Sequence, residues 1–359
     1  VPDSIAIVVN GKRFEGWHSA RLTRSMETIA GTFELSVSDR WDASVNPWAI
    51  REGDACAIQV NGETLLTGFV DSRKISFSQN AKDIALDGRD RAGDLVDCSA
   101  VLHTWEFSDV SPLALATKLC APFGVAVQLQ DGLVESRVTV IKKHSIDPGD
   151  TVQGALENLC RVAGLLPVSD GRGGLLLTRS GAGKCVTPLE QGKNVKSASA
   201  TYDVSGRFGE YLVLGSHKGR DDNYGATAAG VRGSARDAAV RASRIHVVRP
   251  EGNVTQATAK TRALWEAAVR AARSETVTVR VQGWTQADGS LWPLNHVARV
   301  KLPALGADGD MLISALTFTL DADGTQTDMT LKGPQAFTPD PTLGQNGGNG
   351  YWKEIARGV

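Results

Sequence analysis

The sequence predicts a mainly β protein with an α+β section: two antiparallel β-barrel domains interleaved with a small α+β domain and a helical insertion. Three observations carry that prediction. Apolar residues alternate with polar ones at period two through most of the first hundred positions and again after position 195. Two-residue turn signals of the Asn-Gly and Asp-Gly kind recur between the alternating runs. Helical spacing of apolar residues appears only in blocks that follow Ser111, follow Asp150, and cover 256–273.

The elements follow in order. Ile5, Ile7 and Val9 alternate into Asn10-Gly11, and Phe14 and Trp17 begin the return strand. Runs 21–25 and 31–37 alternate again, 39–53 is an irregular connection carrying Trp41, Pro47 and Trp48, and 55–60 runs into Asn61-Gly62. The organising stretch is 65–98. Leu65, Leu66, Phe69 and Val70 lead to Ile75 and Phe77, a polar turn follows at Ser78-Gln79-Asn80, and Ile84 and Leu86 resume the period. About seven short strands with regularly spaced turns favour a closed antiparallel barrel or small sandwich. After Gly88 the residues Arg89, Asp90, Arg91, Asp94 and Asp97 crowd one short turn. The spacing of Asp90 and Asp94 places them on one face of a helical turn where Arg89 or Arg91 would brace them. Arg89, Asp90, Asp94 and Asp97 are therefore the candidate structural corner or subunit interface, beside the plainer reading of a solvated charged turn.

Beyond Cys98 the pattern changes. Ser111-Pro112 reads as a cap and first turn, with Leu113, Leu115, Ala116, Leu119 and Cys120 at helical spacing until Pro122 and Gly124. Strands are expected at 125–129 and 138–141, a second helix over 152–163 closed by Gly164, and a hairpin around 170–174. Strands resume over 195–215, with Tyr211 and Val213 among the inward residues. The stretch 218–239 reads as a polar excursion, and 256–273 as the longest helix, capped near Asn253 or Thr255 with Leu264, Ala268 and Ala271 on one side. Further strands fall at 277–281, 297–302, 311–320 and 328–331. The domains expected are 1–100 (first tube barrel), 101–184 (small α+β), 185–218 with 276–337 (second tube barrel), 219–275 (helical insertion) and 338–359 (flexible tail). The first and third parts share a faint internal likeness, each being alternating strands that end in a hairpin and a glycine-bounded polar corner.

Composition narrows the function. With 39 basic against 40 acidic residues the formal charge is -1, so no global field steers the chain to nucleic acid or a membrane surface. No apolar run is long enough to span a bilayer and the first residues lack a secretion signal, so a soluble protein assembled in a cytosol is expected. The five cysteines are scattered without a C-x-x-C pair, and the six histidines have no ligand spacing; buried free thiols and no metal or cofactor are expected. Ser180-Gly181-Ala182-Gly183-Lys184-Cys185 lacks the first glycine of a phosphate loop and has Cys185 in place of its magnesium-binding hydroxyl. No nucleophile elbow or H-E-x-x-H helix is present. A carboxylate pair among Asp87, Asp90, Asp94 and Asp97 suits glycoside hydrolysis poorly, because Arg89 and Arg91 favour the ionised form over a general acid.

Gly16-Trp17, the run from Thr23 through Glu27 to Leu35, Thr67-Gly68-Phe69-Val70-Asp71, Gly88-Arg89-Asp90, Asp94-Leu95-Val96-Asp97-Cys98, Leu119-Cys120-Ala121-Pro122-Phe123-Gly124 and Gly283-Trp284-Thr285 together resemble the baseplate hub protein of Mu-type contractile-tailed phages. The resemblance spans nearly the whole chain but not the C-terminal tail. Trp292-Pro293-Leu294-Asn295 departs from it by the place of its proline. It implies a non-enzymatic, cofactor-free hub akin to that of type VI secretion spikes. It further implies a homotrimeric ring of pseudo-sixfold symmetry that meets the tail tube protein, the central spike protein and neighbouring baseplate wedge proteins, with DNA passing through its channel. Two other readings stand beside this one: a tail-associated peptidoglycan-binding or cell-wall hydrolase module, and the equivalent hub of a contractile bacteriocin.

Overall fold

The computed structural model describes residues 3–39, 50–77, 82–135, 138, 140–215, 230–250 and 255–340. Seven strands form the first β unit: β1 (Ile5–Val9), β2 (Lys12–Phe14), β3 (Ser19–Ser25), β4 (Thr32–Asp39), β5 (Ala55–Val60), β6 (Glu63–Phe77) and β7 (Lys82–Asp90). Both Asn-Gly turns carry positive φ at the two central residues, 51° and 74° at Asn10-Gly11 and 51° and 85° at Asn61-Gly62. That is the geometry whose twist matches a right-handed hairpin.

The next section packs around a core of its own. It comprises α1 (Ala92–Asp97), β8 (Glu106–Val110), α2 (Pro112–Cys120), β9 (Ala126–Leu129), β10 (Ile141–Ser145), α3 (Val152–Ala163), β11 (Leu166–Ser169) and β12 (Gly174–Thr178). The Ser111 hydroxyl accepts a bond from the Ala114 amide, and Pro112 fills the first helical position, as the cap signal predicts. Thr151, one place beyond the aspartate of the turn, caps α3 by accepting from the Gly154 amide at 3.1 Å. Leu115, Leu119, Leu156, Leu159 and Leu177 meet between the two helices and the β9-β12-β11 sheet. The strand expected over 138–141 begins only at Ile141 and pairs with β8.

The second β unit consists of β13 (Gly183–Lys184), β14 (Leu189–Glu190), β15 (Val195–Tyr202) and four strands that follow an excursion. The excursion is β16 (Glu210–Gly215), β17 (Val231–Arg236), β18 (Ile245–Val248) and α4 (Gln256–Arg273); the unit then resumes with β19 (Glu275–Gln282), β20 (His296–Leu302), β21 (Ala307–Asp321) and β22 (Gly324–Lys332). Two expectations need correcting here. Tyr211 and Val213 belong to a separate sheet, β17-β16-β18, and not to the second β unit, because among the described residues β16 pairs with β17 and β18 alone. Residues 231–236, read as polar excursion, are a strand whose Gly233 lies under α4: a Cβ there would stand 2.2 Å from the Ala259 carbonyl carbon, so only glycine lets the helix approach. Thr255 caps α4, and its buried residues are Ala259, Ala263, Glu266 and Val269; of the expected Leu264, Ala268 and Ala271, Leu264 packs half-buried against that core. Small residues at the contact, Gly233 and Ala259, let helix and sheet backbones close.

The two β units share one fourteen-stranded sheet through β3 and β21, with Leu22 opposite Phe318 and Thr23 opposite Thr317. Leu22 and Phe318 are each 1% exposed, and burial of such side chains contributes about 1.5–3 kcal/mol apiece. A single apolar core therefore runs through both units, from Ile7 and Phe33 to Val279 and Trp284.

The units also repeat one another. The order β3-β4-β7-β6-β5 in the first matches β15-β19-β22-β21-β20 in the second, every neighbour antiparallel. In each, the long fifteen-residue strand is bent by an irregularity, between Val70 and Ser72 in β6 and between Ile313 and Ala315 in β21. Residues 338–340, expected to open the flexible tail, remain packed on α4: Trp265 donates Nε1–H to the Thr338 carbonyl at 2.9 Å and Arg262 pairs with Asp340. Positions 341–359, the polar turn at 78–81, Trp41, Pro47, Trp48, Asn253 and 218–229 lie outside the described residues.

Candidate functional site

The charged corner that the sequence singles out divides into two parts. Asp90 turns inward. Its carboxylate accepts from the Gly31 amide at 2.9 Å, the Ala92 amide at 3.0 Å and the Ser169 hydroxyl at 2.6 Å, and the residue is 2% exposed. Arg24 donates Nη2–H to the Ser169 carbonyl at 2.8 Å beside it. Burial pushes the Asp90 carboxyl above the ordinary aspartate range, and the three donors together with the Arg24 charge pull it back. One side chain thus ties the start of β4, the end of β7, the start of α1 and the β11–β12 hairpin together. The node joins the first β unit to the α+β section.

Arg89 faces the other way, donating to Asp71 at 2.8 Å and to Asp97 at 2.6 Å. The Arg89 hydrogen bond holds the Asp97 carboxyl below its usual range. Arg91 reaches instead toward the Gly124 carbonyl at 3.3 Å. Asp94, half-buried in the first turn of α1, makes no ion pair among the described residues. The expected brace of Asp90 and Asp94 by Arg89 or Arg91 is therefore not what forms. Asp90 continues the parity of Ile84, Leu86 and Gly88 along β7, and that period of two, read one step further, points it at the core. Ser169, Arg24 and Gly31 carried no comparable local signal, since each is placed by long-range pairing.

The second feature is a polar band. On the face of the shared sheet away from the core, the central strands present Thr319 and Thr317 (β21), Arg21 and Thr23 (β3), Glu34 and Thr32 (β4), and Asp87 (β7) in cross-strand register. Part of this face forms an open cleft of about 590 Å³ lined by Arg21, Glu34, Ser36, Lys74, Asp87 and Thr319. Lys74 pairs with Asp87 at 3.3 Å, and further along the band Arg280 pairs with Asp328 at 2.6 Å. Hydroxyls and mutually compensated charges make a wet surface with no net field.

Catalytic readings gain little from the geometry. Among the described residues, no group of His, Cys, Asp and Glu is arranged to hold a metal ion. Gly183-Lys184 of the phosphate-loop-like run is strand β13, paired with β20, and the Gly181 amide donates to Asn295 Oδ1 at 2.8 Å. Asn295, at φ 60°, closes the turn after Trp292-Pro293-Leu294 and is buried. All five cysteines are free thiols; burial pushes Cys56 and Cys120 up to about 12 and Cys185 up to about 11, which leaves little thiolate at neutral pH. Among the described residues no helix is long and apolar enough to cross a membrane.

Three family models match in succession: the N-terminal domain of Mu phage baseplate assembly protein GpP-like over residues 4–90, the second domain of baseplate hub protein gp44-like over 92–179, and the fourth domain of Mu phage baseplate assembly protein GpP over 255–340. The chain is 29% identical over 341 residues to baseplate hub protein gp44 of Escherichia phage Mu, covering 93% of this chain and 89% of that one. Its fold is similar to the 43 kDa tail protein of prophage MuSo2 from Shewanella oneidensis, with TM-score 0.81, 28% identity, and 94% and 99% of the two chains covered. It is similar also to the tail protein from Neisseria meningitidis MC58, with TM-score 0.77, 25% identity, and 95% and 99% covered. The matched domains follow one another along the same chain in the order the structure lays them out, and the chain belongs to the Mu-type phage baseplate hub family.

Proposed function

We propose that this chain is the structural hub of a contractile tail. Three copies form a ring that joins a hexameric tail tube to a trimeric central spike and encloses the channel through which DNA leaves. The observation that carries the reading is the internal repeat: each chain places two β units of the same strand order side by side in one sheet. Three chains then offer six near-equivalent units, so a threefold partner on one face and a sixfold partner on the other meet without a symmetry break. The self-compensated hydroxyl band supports the channel role, because a polyanion slides past a wall that holds no net positive charge to release its counterions. The protein acts without turnover or cofactor, is assembled in the host cytoplasm, and meets the tube protein, the spike protein and the neighbouring wedge proteins.

The test is the mass of the purified chain in solution, followed by electron imaging. A trimer whose end-on views show six lobes around a hole is expected. A single protomer at every concentration, or a particle with a closed centre, refutes the ring.

A further inference from the structure

The excursion of the second β unit differs in charge from the rest of the chain. Residues 205–274 carry twelve basic and six acidic side chains, a net +6, whereas the whole chain is -1. Several of these cations are engaged: Arg207 pairs with Asp237 at 2.7 Å, and Arg262 and Arg270 both pair with Glu266. Arg232, Arg236, Arg241 and Arg249 make no ion pair among the described residues.

Two of the four stand on the face of the β17-β16-β18 sheet that α4 does not cover. Val213, Val231 and Ala235 pack with Ala259 and Ala263 of the helix, so the strand residues of opposite parity turn away from it. They form rows in cross-strand register: Arg236, Glu210 and Ile245 in one, Ser234, Leu212 and Val247 in the next, Arg232 and Leu214 in the third. An aliphatic centre thus runs along β16 and β18, with an arginine border on β17. Ile245 and Val247 are each 51% exposed and Leu214 36%. Single exposed aliphatics are ordinary on a protein surface, whereas a contiguous group across two strands marks an interaction site. β16 and β18 also run parallel, and parallel pairs are usually covered on both faces. Here α4 covers one face, and the other keeps these side chains exposed.

We propose that this face docks an amphipathic helix of a partner protein, apolar along one stripe and acidic along one flank. The helix lies along β16, its stripe on Leu212, Leu214, Ile245 and Val247 and its carboxylates over the arginines of β17. Arg232 and Arg236 are about 13 Å apart along the strand. Helix residues about seven apart return to the same flank after about 10.5 Å, a mismatch that two long arginine side chains absorb. Glu210, the one acid in these rows among the described residues, lies between Arg236 and Ile245 and disfavours a carboxylate over the centre, which keeps the acidic flank on β17. Nucleic acid fits less well, because the rows hold no aromatic ring for a base to stack on. A bilayer fits less well too, since half-exposed aliphatic tips level with a sheet insert little area into it.

The experiment titrates the full chain with a labelled helical peptide of about 18 residues, carrying a leucine stripe and glutamates about seven apart on one flank, and with the same peptide bearing lysines there. Preference for the glutamate peptide, weakening with salt, is expected. Arg232→Glu with Arg236→Glu should weaken its binding about tenfold or more and turn the preference to the lysine peptide. Ile245→Thr with Val247→Thr, which keeps the β-branched shape, should weaken binding of the glutamate peptide at an unchanged melting temperature. Equal binding of the two peptides, or a preference that neither pair of substitutions moves, overturns the docking. Vesicles of phosphatidylglycerol with phosphatidylcholine, and a short DNA duplex, are the competing probes: tighter binding of either, lost with the same substitutions, assigns the face to lipid or nucleic acid and overturns it too. A fall in oligomer mass caused by the threonine pair makes the face a joint between copies, which also overturns it. A chain that stays a protomer yet binds the glutamate peptide through this face refutes the ring and keeps the docking.

Discussion

Replacing Asp90 by alanine removes one acceptor from three buried donors: the Gly31 and Ala92 amides and the Ser169 hydroxyl. A buried donor without a partner costs about 1–3 kcal/mol, and Arg24 at the same place loses the stronger of its two opposing charges, keeping Asp170. Some relaxation toward water offsets part of this, so Asp90→Ala should lower stability by about 3–5 kcal/mol. At about 2–4 °C per kcal/mol, the midpoint falls by roughly 6–20 °C. The assay is urea or thermal unfolding combined with limited proteolysis. Because the node joins the first β unit to the α+β section, cleavage should appear first between residues 90 and 111, ahead of global unfolding. Asp94→Ala is the comparison: with no ion pair among the described residues it should change stability by less than about 0.5 kcal/mol. If Asp90→Ala costs under about 1 kcal/mol, or Asp94→Ala costs as much as Asp90→Ala, the assignment of the node is wrong.

Two further outcomes follow from the packing and the titrating groups. A Cβ at Gly88 would lie 2.1 Å from the Phe69 carbonyl oxygen and 2.6 Å from Phe33 Cζ, so Gly88→Ala should cost about 3 kcal/mol or more and deplete soluble protein; a wild-type melting curve would contradict that packing. In the α4 layer, burial and Arg270 lower the pKa of His246, whose Nε2 accepts from Arg270 at 3.1 Å; for Glu266, burial acts upward but the Arg262 and Arg270 hydrogen bonds prevail and lower it. Both groups give stability that is complete above their unfolded values, about 6.5 for histidine and about 4.3 for glutamate, and is lost as pH falls through the folded values. Protection of the α4 amides against hydrogen exchange, taken relative to the intrinsic rate at each pH, should therefore fall as pH drops from 7 to 5, and His246→Phe, which keeps the ring stacked at 4.7 Å on Phe208, should flatten that dependence; an equally steep profile in the variant would rule out His246 as its source.

Local chemistry made most elements legible. The period of two, the Asn-Gly pairs and the Ser111-Pro112 cap each act within a few residues, and the strands of the first unit and helix α2 sit where those signals put them. Tertiary choices were not legible. β16 has the same alternation as a strand of the large sheet, and only its partners β17 and β18 assign it elsewhere. The buried face of α4 follows from Gly233 letting Ala259 approach, a contact that the helix's own hydrophobicity does not encode. The charged corner was located by its density of Asp and Arg, yet density does not say which acid turns inward; the parity of β7 does, and the residues that receive Asp90 come from three separate segments.

The contact between Thr23 and Thr317 spans 294 positions. During synthesis at about 5–20 residues per second, the first unit leaves the ribosome with the flank of β3 bare for about 15–60 s before β21 exists to cover it. Until then, that flank can zip onto another nascent chain as readily as onto its own distant half, so production of this protein in bulk is limited by how well neighbouring polysomes are kept apart or chaperoned.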